Sequence, residues 1–159
     1  MFKKTLKKIR HFMFRMMFNL YPPYIGAGIR IPHISPDYTT FDVVMKLRFF
    51  NKNYFGTHFG GSLYSMCDPF FTIILTRNLG KDYIVWDKHA SIQFKKPGRN
   101  TIHAHFHIPK EKILELRRLA DESKKIEPVF TIDLKDDDDT LIAHVEKTVY
   151  IRRKDRDMK

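Results

Sequence analysis

The chain has 159 residues, enough for one domain around a single hydrophobic core. Hydrophobic residues make up 43% of it, which excludes an intrinsically disordered protein, and the longest apolar runs are too short to span a bilayer. The single cysteine, Cys67, excludes an intramolecular disulfide and favours a cytoplasmic location, while the formal net charge of +11 favours an anionic partner such as nucleic acid, anionic lipid or a phosphorylated ligand.

Residues 2–20 are predicted to form an amphipathic N-terminal helix that ends before Pro22. Its apolar residues at helical spacing are Phe2, Leu6, Ile9, Met13, Met16 and Leu20. Its basic residues are Lys3, Lys4, Lys7, Lys8, Arg10 and Arg15. Two interpretations follow: the apolar stripe packs on the domain's own sheet or across a dimer, or the helix lies weakly on an anionic membrane surface, which would be the inner membrane surface.

The remainder of the chain predicts strands around one buried helix. The predicted strands cover 28–34, 41–49, 86–94, 102–108, 128–135 and 140–152, and the predicted helices cover 60–78, ended by Gly80, and 110–124. In the strand over 86–94, the alternation predicts that Trp86 faces the core and Asp87 faces solvent. With the later strands joined as antiparallel hairpins, the fold class is α+β, a sheet wrapped over a central helix. The predicted organisation is an N-terminal helix over 1–22, a domain over 25–152 and a charged tail over 153–159.

The central helix carries a carboxylate, Asp68, followed directly by Pro69, although its surface is apolar nearly all round. A buried carboxylate is costly unless it is paired or works in a cleft. In the structural interpretation, Asp68 accepts hydrogen bonds from Ser65 or Thr72, or caps a helix that begins at Pro69. In the functional interpretation, Asp68 is a catalytic base.

The stretch NYFGTHFGGSLYSMCDPFF, Asn53 to Phe71, resembles the active-site segment of hotdog-fold acyl-CoA thioesterases of the phenylacetate-pathway type. The shared pattern is an asparagine, a Gly-Thr pair, a Gly-Gly pair and an acid seven positions after the second glycine. The resemblance covers residues 25–152 and implies a hotdog fold, a curved antiparallel sheet around a long central helix. The N-terminal helix and the helix over 110–124 resemble a hotdog family known as a domain of unknown function.

The resemblance also implies a site. Asp68 would be the general base or nucleophile, the Gly60 backbone amide would polarise the thioester carbonyl, and Asn53 would hold the substrate and the attacking water. Such sites lie at a homodimer interface, within a dimer or tetramer, where Asp68 of one subunit faces Asn53 and Gly60 of the other. Asp87 falls near a water-binding position, and the implied reaction uses no metal or cofactor.

Substrate contacts are implied for Gly61 and Phe59, and the basic turn of Lys95, Lys96 and Arg99 would clamp the phosphates of coenzyme A. Four phenylalanines would line an apolar acyl cleft: Phe55, Phe59, Phe70 and Phe71. The sequence departs from the family where Phe59 replaces its histidine and where Pro69 follows the acid. These departures motivate an alternative function, a non-catalytic module that binds acyl-CoA, an acyl carrier or lipid.

Other patterns favour structural roles. His103, His105 and His107 alternate along one strand, which favours a solvated polar face over a metal site. The acidic run Asp136–Asp139 lacks the spaced ligands of a calcium loop and favours a solvated hairpin tip. Cys67 is expected to be buried and inert. Nucleic-acid binding ranks last because the chain lacks a motif of interleaved aromatic and basic residues.

Overall fold

The computed structural model describes residues 2–154, with side chains from residue 5 onward. The helices are α1 (Phe2–Asn19), α2 (Pro22–Ala27), α3 (Gly60–Ser65), α4 (Phe70–Leu79) and α5 (Lys110–Glu122). The strands are β1 (Ile29–Ile34), β2 (Thr40–Met45), β3 (Tyr83–Phe94), β4 (Ile102–His107), β5 (Val129–Asp136) and β6 (Leu141–Arg153). Most of the predicted tail, residues 155–159, and the side chains of Phe2, Lys3 and Lys4 lie outside the described residues.

The strands form one antiparallel sheet in the order β1-β2-β4-β5-β6-β3. The pairs β1–β2 and β5–β6 are hairpins. The β5–β6 hairpin was predicted, whereas the later strands β3 and β4 do not pair with each other as expected. After the turn at Lys96-Pro97-Gly98 the chain crosses to pair β4 with β2, and β3 pairs with β6 at the opposite edge of the sheet. This arrangement leaves β3, twelve residues long, as an edge strand.

The predicted central helix forms in two pieces, α3 and α4, separated by a turn at 66–69. Pro69 has no backbone N–H and cannot continue the helical hydrogen bonding. The Cys67 amide instead donates to the Tyr64 carbonyl at 2.8 Å, and the Asp68–Pro69 peptide bond is cis. Gly80, with φ of 94°, ends α4 as predicted. The turn places Asp68 between two helices rather than within one.

The hydrophobic core lies between α4 and the concave face of the sheet. Phe70 is fully buried, and its ring centroid lies 4.9 Å from that of Phe106 and 5.6 Å from that of Phe41. The alternation predicted for β2 is confirmed, because Phe41, Val43 and Met45 all point into the core. The strand ends at Met45, short of the predicted residue 49. The structure is therefore the predicted α+β sheet wrapped around a central helical segment.

Helix α1 covers the free edge of β1. The Asn19 side chain pairs with both backbone groups of Ile31, accepting from its N–H at 2.9 Å and donating to its carbonyl at 3.1 Å. Arg15 donates to the Pro32 carbonyl at 2.7 Å. Phe14 and Phe18 on the same side of the helix pack against the core. These contacts satisfy backbone groups that an exposed edge strand would leave open.

The predicted apolar stripe of α1 lies on the opposite side of the helix, so the expectation that it packs on the domain's own sheet is wrong. Four described members of the stripe, Leu6, Ile9, Met13 and Leu20, are exposed, together with Met17, whereas Met16 is half-buried. The side of α1 that faces the sheet is formed by other residues. His11 and Asn19 hydrogen-bond to the backbone of β1, and Phe14 and Phe18 pack against the core. No helix within residues 2–154 has the length and apolar content to cross a membrane.

A β-bulge reverses the predicted facing of β3. Asp87 pairs with Val149 and His89 pairs with Thr148, so Lys88 is the extra residue. Before the bulge the odd-numbered residues face inward, which turns Asp87 toward the interior and leaves Trp86 49% exposed. The Trp86 ring stacks on Tyr150 on the outer face, with centroids 4.5 Å apart. The predicted orientation of these two residues is therefore wrong, since strict alternation cannot anticipate an inserted residue.

Candidate active site

A buried ammonium group joins the two acidic residues that the sequence singled out. Lys147 Nζ donates to Asp68 Oδ1 at 2.8 Å and to Asp87 Oδ2 at 2.9 Å. The Lys147 side chain has no solvent exposure, whereas that of Asp68 is 48% exposed and that of Asp87 is 20% exposed. The cluster thus presents a half-exposed carboxylate, Asp68, on a buried cation.

Each member of the cluster is positioned by a different local feature. The break between α3 and α4 sets the position of Asp68, and the bulge in β3 turns the Asp87 side chain inward. Lys147 occupies an inward position of β6 between Val145 and Val149, where the alternation calls for an apolar residue. Lys147 was not among the residues predicted from the sequence, although a lysine at an apolar position of an alternating strand is a signal that points to it.

Mutual charges set the protonation of the cluster. For Asp68, burial acts to raise the pKa, but the hydrogen bond and charge of Lys147 outweigh it, so the pKa lies below the ordinary value. For Asp87, burial dominates and the neighbouring Asp68 adds to it, so the pKa is raised. For Lys147, burial acts to lower the pKa, but the two carboxylates outweigh it and raise it. Asp68 is therefore a carboxylate at neutral pH, opposite a lysine that stays protonated.

The structural alternatives for Asp68 do not hold in the predicted form. The Ser65 hydroxyl donates to the Gly61 carbonyl at 2.8 Å, and the buried Thr72 hydroxyl interacts with Asp87 rather than with Asp68. Helix α4 starts after Pro69 with no side-chain cap, so Asp68 is not its N-cap. The Asp68 backbone carbonyl accepts a hydrogen bond from the Tyr24 hydroxyl, which fixes the main chain at this residue.

A second feature is an open cleft of about 360 Å³ at the start of α3. It brings together four predicted site residues: Asn53, Gly60, Lys95 and Lys96. The Gly60 amide lies in the first turn of the helix, where the helix itself offers no acceptor. The cleft therefore combines a backbone donor with two cations. The cluster residues Asp68, Asp87 and Lys147 are not among the residues that line it.

Asn53 organises the loop that forms one wall of this cleft. Its carboxamide oxygen accepts from the amides of Phe55 and Thr57, and its nitrogen donates to the Thr57 hydroxyl at 2.8 Å and to the His58 carbonyl at 3.2 Å. These bonds use both donors and both lone pairs of the side chain. In this structure Asn53 shapes the cleft from within its own loop.

His58, next to Phe59, does not supply the histidine that the related pattern contains. Its ring is buried and its Nε2 atom is 2.9 Å from the Asn100 carbonyl oxygen. Burial lowers the pKa of His58, against a smaller opposing effect of the Asn100 hydrogen bond. His58 therefore lines the cleft wall, while its ring holds the loop against the connection between β3 and β4.

The other residues predicted to contact the substrate lie outside this cleft. Gly61 and the exposed Phe59 line a neighbouring recess, not the cleft of Gly60. Arg99 is exposed on the basic turn but is not among the residues that line the cleft. Phe70 and Phe71 are core residues, so their predicted role in an acyl cleft is wrong, because α4 turns both rings toward the sheet.

The other patterns have separate partners. His103 contacts Asp137 at 2.7 Å, His105 contacts Asp42 at 2.6 Å, and His107 contacts Thr40 at 2.9 Å, all on the solvent face of β4. Asp136 accepts the amides of Asp138 and Thr140 and closes the β5–β6 turn. Cys67 is buried, as predicted, and burial raises the pKa of its thiol to about 12.

The fold is shared with solved structures of low sequence identity. PA5026 of Pseudomonas aeruginosa, a protein of unknown function described as a probable thioesterase, has a TM-score of 0.73 and 18% identity, covering 87% of this chain and 93% of that one. The thioesterase HI1161 of Haemophilus influenzae has a TM-score of 0.62 and 13% identity, covering 86% and 87%. A point mutant of the phenylacetic acid degradation protein PaaI of Thermus thermophilus has a TM-score of 0.55 and 15% identity, covering 82% and 98%.

These similarities confirm the predicted hotdog fold. None of the curated proteins matches the chain. A family model described as a domain of unknown function, DUF4442, matches residues 10–151, which is nearly the whole of the described chain. The chain therefore belongs to the DUF4442 family and has the hotdog fold.

Proposed function

We propose that the protein is a thioester hydrolase that acts on an acyl-CoA or a related acyl thioester. The observation that carries the proposal is the half-exposed Asp68 carboxylate held on the buried Lys147 ammonium, at the break in the central helical segment of a hotdog fold. A carboxylate that is ionised, fixed and open to solvent can activate a water molecule or attack a carbonyl. The thioesterases with the same fold, HI1161 among them, support this reaction class.

The two halves of the site would meet across a homodimer or within a tetramer. Within one chain Asp68 belongs to the lysine cluster, and Gly60 belongs to the cleft. The edge strand β3 offers a route to dimerisation, because a long unpaired edge favours pairing with another strand. Antiparallel pairing of two β3 strands about a twofold axis near their middle would place the Asp87 half of one beside the Phe94 half of the other. Phe94 lies against Gly60, so this pairing would bring the acidic cluster of one copy toward the cleft of its partner.

In the proposed reaction, Asp68 takes a proton from a water molecule as the water oxygen attacks the thioester carbonyl carbon. The Gly60 amide donates to the carbonyl oxygen, which becomes negative in the tetrahedral intermediate. The carbon–sulfur bond then breaks, the sulfur leaves as a thiolate and takes up a proton, and a carboxylic acid is released. Direct attack by Asp68 would give an anhydride, which water then hydrolyses to the same products.

The acyl group would contact an exposed aromatic rim that extends from Phe94 at the cleft to Phe59 at the neighbouring recess. Tyr54 is 97% exposed, and Phe55, Phe59 and Phe94 are also largely exposed in the single chain. Such a concentration of exposed aromatic residues is typical of a binding surface rather than of an ordinary solvent face. The rim replaces the acyl cleft that the sequence predicted with Phe70 and Phe71, and it favours an apolar acyl chain.

Thiol release from a panel of acyl-CoA esters of increasing chain length tests this function. We expect turnover with at least one ester, accompanied by a rise in melting temperature when a non-hydrolysable analogue binds. Oxygen esters of the same acids are the control for nonspecific esterase activity. Absence of thiol release from every thioester, with or without an acyl carrier protein as donor, would contradict the proposal.

The alternative function is a non-catalytic module that binds an acyl-CoA, an acyl carrier or lipid. The pairing of Asp68 with Lys147 favours this alternative, because a carboxylate with a lowered pKa is a weaker base. The active-site pattern of phenylacetate-type thioesterases has a histidine where this chain has Phe59, and this difference also favours a non-catalytic module. Analogue binding that raises the melting temperature, together with no turnover, would be the expected result for such a module.

Replacing both cleft lysines, Lys95→Gln/Lys96→Gln, is expected to raise KM for an acyl-CoA by about tenfold and to leave kcat nearly unchanged. Both side chains are exposed at the cleft, and each exposed cation near a phosphate contributes on the order of 1 kcal/mol or less. The matching acyl-pantetheine lacks the nucleotide phosphates, so its KM should change little. The variant Lys124→Gln, in the exposed segment after α5, is the control. Equal loss with both substrates would show that the lysines do not clamp phosphates.

A further inference from the structure

The exposed face of α1 carries an apolar strip that runs from Leu6 to Met17, about 17 Å at 1.5 Å per residue. Leu6, Ile9, Phe12, Met13 and Met17 are all exposed along it, and Met13 reaches 63% exposure. None of these side chains is needed to hold α1 on the sheet, because the contacts with β1 use the opposite side of the helix. The strip is therefore a free surface that is neither core nor part of the proposed site.

Cations flank the strip on both sides. At about 100° per residue, Arg10 lies beyond one edge of the strip, and Lys8 and Arg15 lie beyond the other. The helix sequence FKKTLKKIRHFMFRMMFN contains six Lys or Arg residues and no Asp or Glu. Two copies of α1 packed face to face would bring twelve cations together with no carboxylate from either helix. Coulomb repulsion between these like charges, with no opposite charge on either helix, destabilises such a pair. The charge distribution therefore disfavours a second copy as the occupant.

A basic cleft adjoins the strip on the Lys8 and Arg15 side. Its volume is about 380 Å³, and its lining includes Lys7, Lys8 and Arg15 together with the rings of Phe12 and Tyr38. No Asp or Glu is among the described residues that line it. Phe12 belongs both to this cleft and to the apolar strip, so the cation site and the apolar surface are continuous. That combination matches the phosphate of an anionic lipid whose acyl chains lie along the helix.

We propose that α1 docks the protein on anionic lipid bilayers, with the strip in the headgroup–acyl boundary and the Lys7–Lys8–Arg15 cleft on a lipid phosphate. An amphipathic helix of this composition lies parallel to the surface, and its apolar face enters the interface. The flanking cations add attraction to the negative surface. This inference does not depend on the proposed reaction, because it concerns a face of the molecule outside the candidate active site.

Flotation with vesicles at low salt tests the inference on the full chain. Wild-type protein is expected to float with phosphatidylcholine vesicles that contain phosphatidylglycerol and to remain unbound with phosphatidylcholine alone. The variant Lys7→Gln/Lys8→Gln should lower the partition coefficient by about tenfold or more, since each cation near the surface contributes roughly a factor of five. The matched control, Lys81→Gln/Lys124→Gln, removes two exposed charges elsewhere and should bind nearly as well as wild type.

A second variant, Ile9→Ser/Met13→Ser, removes apolar surface without changing charge and should lower partitioning by at least about tenfold. Both side chains are exposed, so the melting temperature should stay near that of wild type. Light scattering on the same samples tests whether a second copy of the chain covers the strip instead. Wild-type binding equal for neutral and anionic vesicles, or a serine variant that binds normally, would overturn the inference. A fall in particle mass for the serine variant, without any vesicle binding by wild type, would instead assign the strip to a contact between copies.

Discussion

Asp68→Asn is expected to lower kcat for thioester hydrolysis by about 10²–10⁴-fold, the usual contribution of a general base. Asparagine keeps the size of the side chain and can still accept a hydrogen bond from Lys147, but it cannot take a proton or form an anhydride. Analogue binding, measured by the shift in melting temperature, should persist. Turnover by Asp68→Asn at the wild-type rate would remove Asp68 from the mechanism.

The pH dependence of kcat/KM provides an independent check on the same residue. The active form of Asp68 is the carboxylate, and Lys147 holds its pKa below the ordinary 3.8, so the midpoint of the acid limb caused by Asp68 protonation should lie below pH 3.8 in wild type. In Lys147→Met, the lowering effect of Lys147 is lost while burial still acts, so the pKa of Asp68 rises and the acid limb moves to higher pH. Lys135→Met, which removes an exposed lysine paired with Asp139, is the control and should leave the limb in place.

The double variant Asp68→Asn/Asp87→Asn is expected to lose about 3–5 kcal/mol of unfolding free energy, because it leaves the fully buried Lys147 ammonium without a counter-charge. Each single variant should lose less, since one carboxylate remains bound to Lys147. The loss should shrink as the pH is raised, because an unpaired buried lysine has a lowered pKa and is folded more favourably when neutral.

Adding Lys147→Met to the double variant is the matched control. Methionine fills a similar volume without a charge, so the triple variant should regain most of the lost stability. Urea unfolding of the wild type, the two single variants, the double variant and the triple variant, with equal slopes, gives the comparison. If the double variant is as stable as wild type at neutral pH, the cluster is not the ion pair that the distances indicate.

The sequence was sufficient to predict the fold, because the main strands and helices have clear periodicity. Phe41, Val43 and Met45 alternate strictly, and the apolar residues of α4 surround the helix, so their burial follows from the residues alone. The resemblance of the Asn53–Phe71 stretch supplied the fold family.

The candidate site could be predicted only in part. Asp68 stood out because a charge interrupts an apolar segment, but its partner Lys147 is 79 residues away, and no local pattern joins them. The inward turn of Asp87 depends on a bulge, which shifts the strand register by one residue. In α1 the stripe with the highest apolar content faces outward, because the β1 edge selects side chains such as Asn19 for their hydrogen bonds.

The buried lysine also constrains how this chain can change over evolutionary time. If both carboxylates are lost before Lys147, the intermediate sequence has a buried charge without a counter-charge. If Lys147 is lost first, Asp68 and Asp87 remain partly hydrated, with side-chain exposures of 48% and 20%. The two mutational orders reach the same end point with very different intermediates, which is strong epistasis between positions far apart in the chain. Descendants that have abandoned the reaction should therefore have lost the cation first, and a lineage that retains Lys147 should retain at least one of its acids.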